Sequence, residues 1–350
     1  APEEILTLAK PHIGTDILSL VVERILDRIV ALGGEVHYHT KFLSCRTAGE
    51  CLVGVLTDRG EIPAETLVLA IGHSARDTYT HLFTTPLSIE AKPFSVGMRI
   101  EHLAADIDRA MYGDFAGHPA LGHAEYSLSY NTKVRGVYTF CMCPGGIVVA
   151  AASEAGGVAV NGMSEHSRAG KNSNSAVVCS IFKDDYGGTP AAAIEFQRKI
   201  EHAAYFAGGG DFAAPVTTVG DFLAGTRGTE PSRILPTYMN GTHVRAASPD
   251  DYLPPAVTAA IRDGLSDFDR KIAGFAAPDA ILTGAETRTS APVRIMRDPA
   301  TRTALGADYL YPAGEGAGYA GGITSAALDG IHTAFAMMTR FAPTHGTRKV

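Results

Sequence analysis

An α/β fold is predicted for this 350-residue chain, with one sheet domain entered, interrupted by an inserted mixed α+β domain, and re-entered. Three observations carry that prediction. Residues 16–72 read as a helix, a strand, a hairpin and a buried apolar strand ending in glycine. Residues 92–297 change character, with short strands joined by longer polar connections and two helical stretches. Residues 308–334 (DYLYPAGEGAGYAGGITSAALDGIHTA) then give a short apolar run, a glycine turn and an Ala-rich helix.

In the first segment Ile17, Leu20, Val21, Ile25, Leu26, Ile29 and Val30 recur at helical spacing. Thr15 or Asp16 suits the N-cap, and Gly33-Gly34 ends the helix. Glu35 to Phe42 alternates as a strand. Leu52 to Thr57 and the turn Asp58-Arg59-Gly60 predict a hairpin. Glu65 to Ile71 is a continuous apolar run of the kind a buried parallel strand needs. The middle segment predicts strands near Phe94–Ile100, Val137–Cys141, Ile147–Ala152 and Val177–Ile181. Helices are expected over Ala191–Phe206 and Pro255–Phe275, with Gly208–Pro236 between them as loop, and Ala280–Arg297 returns to strand pattern. No fixed-period repeat is visible.

The expected boundaries are 1–90 for a partial nucleotide-binding domain, 91–297 for the insert, and 298–350 for the return. The insert reads as mostly β at 92–185 and 278–297 and helical at 190–276. Within the return, Gly314, Gly316, Gly318, Gly321 and Gly322 fall directly before a helix. Such a strand, glycine turn and helix bring backbone N–H groups at a helix N-terminus up against an anion, because no side chain blocks the approach. The fold class is therefore an incomplete Rossmann-like domain carrying an insert.

Composition narrows the function. The net charge of −7 and scattered Lys and Arg argue against a nucleic-acid footprint. No apolar run approaches the roughly 18 residues of a membrane helix, so no membrane partner is expected. Five cysteines without framework spacing suit a reducing cytoplasm. Histidines are numerous, but no HExxH-type pairing occurs and no metal site is expected.

With these motifs assembled, the chain resembles a bacterial family of uncharacterised FAD-dependent dehydrogenases, distant relatives of the two-dinucleotide flavoproteins. The strings that carry the resemblance include AIGHSARDTY (Ala70–Tyr79), KPFSVGMRIEH (Lys92–His102), RGVYTFCMCPGG (Arg135–Gly146), NGMSEHSR (Asn161–Arg168), ETRTSAPVRI (Glu286–Ile295) and YPAGEGAGYAGGITSAALDG (Tyr311–Gly330). KPHIGTD (Lys10–Asp16) and NSNSAVV (Asn172–Val178) extend it over nearly the whole chain. The resemblance implies FAD as cofactor, in an FAD-binding domain closed by Gly314, Glu315, Gly316, Gly318, Tyr319, Ala320, Gly321, Gly322 and Ile323. The family's first G-x-G-x-x-G unit does not occur in these residues, and the chain begins without Met, so a fragment of a longer protein is expected.

Further cofactor contacts are expected at the carboxyl end of the strand closing on Gly72, where His73, Ser74 and Arg76 follow. Arg76 can hold a phosphate bidentately; a capping Ser74 with Arg76 paired to Asp77 stays equally open. The resemblance brings Arg288, Thr289 and Arg294 near the flavin ring, where positive charge stabilises the reduced form; a surface ion pair is the plainer reading. His102 is a candidate acid–base group or a strand-end cap. Arg99 and Glu101 share a face at period two, and Asn161, Ser164, Arg168, Asn172 and Asn174 form a polar cluster. Cys141 and Cys143 are candidates for redox chemistry, for a wall of the substrate pocket or for buried structure.

The leading expectation is an FAD-dependent oxidoreductase passing a hydride between flavin and an unidentified small molecule, with NAD(P)H an open second partner. A catalytically silent fragment of such a protein is the alternative. A flavin-related RNA-modifying protein is the third and is disfavoured by the charge.

Overall fold

The computed structural model describes residues 12–132 and 134–341, which divide into two units. The first holds Ser95–Ile181, Gln197–Arg288 and the residues before 37; the second holds His37–Phe94, Phe182–Phe196 and the residues from 289 onward.

The first unit is built on a seven-stranded, mostly antiparallel sheet. Its order across the sheet is Val244–Ala246, Ala214–Thr218, Ile281–Glu286, Phe94–Leu103, Asn172–Ile181, Gly136–Cys143 and Ser129–Asn131. The two ten-residue strands at its centre are buried on both faces almost throughout. Val96, Met98 and Ile100 are apolar, whereas Ser95, Arg99 and Glu101 alternate with them on the other face and are also buried. The helix Pro255–Lys271 packs on this sheet through Val257, Ile261, Leu265 and Phe268. It sits so close that a Cβ on Gly264 would lie 2.6 Å from Val137.

The second unit contains a three-stranded meander of Phe42–Ala48, Cys51–Thr57 and Gly60–Pro63. Beside it Leu67–Leu69 pairs in parallel with Leu310–Pro312, the pairing expected of a nucleotide-binding sheet. Val293–Ile295 pairs antiparallel with Ile89–Ala91. Leu69, Tyr79, Leu82, Val293, Ile295 and Leu310 form the core of this unit.

Three local expectations are corrected. The helix Thr15–Ala31 has Gly14 as its N-cap and no side-chain cap, because the Asp16 carboxylate accepts the His166 N–H at 2.8 Å instead. Glu35 to Lys41 contains a turn at Tyr38-His39, with His39 at φ 51, and the strand begins only at Phe42. The presumed loop 208–236 contains the sheet strand Ala214–Thr218 and the helix Val219–Ala224. Its apolar content is only Ala214, Pro215 and Val216 among threonines, and tertiary pairing decides such a segment.

The helical spacing of two segments holds, but their apolar stripes are not covered by described residues. Thr15–Ala31 has no buried residue, and Thr333 is the one buried residue of Ile323–Arg340. Leu20, Ile25, Leu328, Ile331 and Phe335 are exposed.

Gly97 tests the packing of the central strands, since a Cβ there would lie 2.1 Å from the Val177 carbonyl oxygen. Gly97→Ala is expected to cost about 2–3 kcal/mol, read as a lowered urea midpoint. An unchanged midpoint would mean the two central strands can separate freely.

Candidate functional site

The glycine segment lies where its sequence context demands. It leaves the carboxyl end of Leu310–Pro312, beside the carboxyl end of the parallel Leu67–Leu69, and runs into the helix Ile323–Arg340. Gly314 and Gly318 take positive φ of 76° and 83°, which glycine alone adopts without strain. A Cβ on Gly316 would meet the Gly72 carbonyl at 2.5 Å, so the two strand-end turns touch backbone to backbone. Tyr79 locks that contact, its buried hydroxyl donating 2.6 Å to the Gly316 carbonyl. Gly321 and Gly322 differ. They are exposed, and nothing lies within 4 Å of where their Cβ atoms would be. These two residues leave an open approach to the amino end of an 18-residue helix.

One carboxylate holds this arrangement in place. Asp329, in the second turn of the helix, accepts the Gly314 N–H at 2.8 Å. It also pairs with Arg297 at 2.7 and 3.0 Å and with Arg302. Burial opposes its charge, but Arg297, the Gly314 amide and Arg302 outweigh burial and hold the carboxyl well below the usual range. Arg297 donates in addition to the Pro312 carbonyl at 2.6 Å and lies 3.6 Å above the Tyr319 ring. Strand, glycine turn and helix are thereby tied to a single ion-pair cluster.

A second set of charges faces the turn. Arg294 donates to the Gly318 carbonyl at 3.3 Å, with its guanidinium 5.1 Å from the Tyr319 centroid. His73 is buried and lies 3.4 Å from Glu315. Lys92 is half-buried; burial and the neighbouring Arg294 depress its pKa, with Glu315 opposing them. Two cavities of this unit, each about 730 Å³, lie elsewhere. One is lined by Cys51, Glu65, Asp308 and Tyr309, at the amino ends of the two parallel strands. Ligands of open α/β sheets gather at carboxyl ends, so the glycine turn takes precedence over cavity size.

Arg76 is buried in the first turn of Arg76–Leu82 rather than at the surface, and Asp77 pairs with Lys41 at 2.6 Å. The N-cap of that helix is Ala75, and Ser74 is exposed, accepting the Arg76 N–H through its carbonyl. Thr289 is buried, and Ala320 is buried beside exposed Gly321.

The remaining predicted residues lie in the first unit. Arg288 is bound by Glu201 at 2.9 Å, and its guanidinium also donates to Ser153 at 2.6 Å. The same Glu201 accepts the Thr287 hydroxyl at 2.6 Å, so the arginine is positioned by a buried carboxylate rather than by a surface ion pair. His102 is buried against Phe275, with Nε2 2.7 Å from the Phe275 carbonyl, and burial lowers its pKa. Cys141 is exposed and Cys143 buried.

Arg99 brings the rest together. Its buried guanidinium donates to Glu286 at 3.1 Å, Asn174 at 2.8 Å, Asn161 at 3.2 Å and the Cys141 carbonyl at 2.9 Å. Glu101, two residues on, accepts the Thr237 hydroxyl, the Thr237 N–H and the Asn172 amide. Burial raises both carboxyl pKa values, with Arg99 restraining that of Glu286 and Thr237 and Asn172 that of Glu101. Gly162 makes room for this network, since its Cβ would lie 2.0 Å from Arg99 Nη1.

Sequence reasoning passed over Tyr79, Arg297, Arg302 and Asp329. A signal for Asp329 existed, an acidic residue on the Ala-rich helix fifteen positions after Gly314; its partners required the fold. Among the described residues there is no group of acidic, His or Cys side chains able to hold a metal ion. No helix among them is long and apolar enough to cross a membrane.

Comparison with known proteins follows this geometry. Residues 93–289 match the family model "FAD-dependent protein, C-terminal domain-like". An uncharacterized protein of Clostridium beijerinckii is 46% identical over 344 residues, covering 97% of this chain; the chain spans 64% of that protein's length. Remote likenesses connect the chain to CtdE, crystallised with FAD and with FAD and substrate 4. They show 10% identity and TM-scores of 0.33 and 0.35, with 90% and 92% of this chain and 58% and 56% of theirs covered.

Asp329→Asn is expected to destabilise the protein by about 2–3 kcal/mol at neutral pH, because two arginines lose their half-buried partner. The native carboxyl is lowered, so its stabilisation is present above the ordinary carboxylate pKa of about 4 and is lost as pH falls toward the native value. Urea midpoints taken from pH 7 downward check this. The wild type should lose its advantage over the variant only in acid, whereas equal midpoints at pH 7 would remove Asp329 from the account.

Proposed function

Because the chain belongs to the FAD-dependent protein, C-terminal domain-like family, we propose that it forms the closing part of an FAD-dependent oxidoreductase. The cofactor is FAD. The observation that carries the reading is the open helix amino end at Gly321-Gly322, held by Asp329 at the carboxyl edge of a parallel strand pair. That arrangement presents backbone N–H groups and a positive dipole end, the chemistry that takes a pyrophosphate. When bound, the flavin supplies two-electron hydride chemistry.

The residues of this chain supply binding and electrostatics. Gly72, with positive φ and open space at its Cβ position, provides a second backbone approach at the neighbouring strand end. Lys92 and Arg294 place positive charge beside the turn, suited to an anionic group of the cofactor. Glu315, beside His73, limits that charge. The substrate is a small molecule taken up by the whole protein, with NAD(P)H a candidate second reactant. The odd, unframed cysteine count supports a reducing cytoplasm.

The double variant Gly321→Val/Gly322→Val tests the reading without disturbing the fold. Gly322 has an extended φ of −169°, and neither Cβ position meets an atom within 4 Å. Titration with FAD, followed by flavin absorbance retained after desalting, should show at least about tenfold weaker binding, a loss of about 1.4 kcal/mol. The urea midpoint should change by less than about 1 kcal/mol equivalent. Undiminished FAD binding by this variant would refute the assignment.

A further inference from the structure

The C-x-C pair departs from ordinary strand geometry in a way that bears on its chemistry. Where Gly136–Cys143 pairs with Asn172–Ile181, the register runs from Ala176 opposite Phe140 to Asn174 opposite Cys143. Two residues, Cys141 and Met142, therefore stand against the single Ser175. That is a β-bulge, and Cys141 carries its strain at φ 49. On a regular strand residues two apart face the same side, and the extra residue alters that geometry locally. The Cys143 thiol lies 3.3 Å from the Cys141 carbonyl oxygen.

The surroundings are equally specific. Arg99, fully buried, reaches the Cys141 carbonyl at 2.9 Å and the Cys143 sulfur at 3.9 Å. Glu286 and Asn174 fix that guanidinium from the other side. Burial disfavours the Arg99 charge, but Glu286 and the thiols outweigh it, so the cation is permanent. The two sulfurs differ in access, with Cys141 exposed and Cys143 buried. The neighbouring Cys143 thiol and the Arg99 charge draw the Cys141 pKa down, against burial, while Cys141 and burial raise that of Cys143. An exposed cysteine with a buried thiol behind it and a fixed cation beside the pair is the arrangement of an attacking and a resolving cysteine.

We propose that Cys141 and Cys143 form a thiol–disulfide exchange site for low-molecular-weight disulfides, with Cys141 as nucleophile and Cys143 as resolving thiol. The Cys141 thiolate attacks one sulfur of the disulfide RSSR, forming a mixed disulfide and releasing RS⁻. Cys143 gives up its proton to solvent and attacks the Cys141 sulfur, closing the Cys141–Cys143 bond and releasing the second RS⁻. The protein dithiol is oxidised by two electrons and the small disulfide is reduced to two thiols. The site does not depend on flavin binding.

The full chain, reduced and freed of reductant, is treated with iodoacetamide at about pH 6 and mapped by peptide mass spectrometry. Exposed Cys51 serves as the internal reference. Cys141 should be alkylated at least about threefold faster than Cys51, after allowing for the lower intrinsic nucleophilicity of a more acidic thiol. Oxidised glutathione should convert the wild type to the internal Cys141–Cys143 disulfide, seen as the loss of two hydrogens on one peptide. Cys143→Ser should stop at a glutathione adduct on Cys141. Equal alkylation of Cys141 and Cys51, or a wild-type adduct on Cys141 that persists without resolving, would overturn the proposal.

Discussion

The Asp329 carboxylate is the interaction on which the candidate cofactor site depends. A loop with Gly314, Gly316, Gly318, Gly321 and Gly322 loses more conformational entropy on ordering than a glycine-free loop of that length. Something must hold it. Asp329 does so by joining the Gly314 amide, Arg297 and Arg302 in one partly buried cluster, and Arg297 extends that cluster to the Pro312 carbonyl and the Tyr319 ring. The end of the strand, the turn and the helix are fixed together. The helix amino end then keeps its open approach because Gly321 and Gly322 carry no side chains.

The other unit faces the opposite problem. Its sheet buries charge rather than ordering glycine. Placing Arg99, Glu101 and Glu286 out of water is costly unless every polar atom is engaged. Arg99 meets that demand with Glu286, Asn174, Asn161 and the Cys141 carbonyl; Glu101 meets it with Thr237 and Asn172. Partners come from four strands and one loop, so the network requires the sheet to form in a single register. Gly162 contributes by absence, leaving the space that the guanidinium fills.

Much of this was readable from residue order. The apolar run Glu65–Ile71 announced a parallel strand and the segment before Gly314 a strand entering a glycine turn; that Leu67–Leu69 and Leu310–Pro312 pair with each other, and that Val68 is exposed, came only from the fold. Arg99 and Glu101 were placed on one face by period two alone. Other features were hidden for identifiable reasons. The strand Ala214–Thr218 has too few apolar residues to stand out, and its place beside Ile281–Glu286 is set by pairing. The bulge at Cys141 is a property of two strands together, so nothing in the one strand's own sequence announced it. Asp329 looked like one more polar residue on an exposed helix until Arg297 and Arg302 were seen beside it. Arg288 was read with a surface ion pair as the plain alternative, whereas its partner is the buried Glu201.

The central claim is that the glycine turn and the helix amino end it exposes receive FAD. Amide hydrogen exchange of the chain with and without FAD measures this most directly, because it reads the backbone N–H groups themselves. The account predicts that FAD slows exchange in peptides covering Gly72–Ser74 and Gly321–Ser325. Protection confined to the cavity lined by Cys51, Asp308 and Tyr309, with those two peptides unchanged, would contradict it.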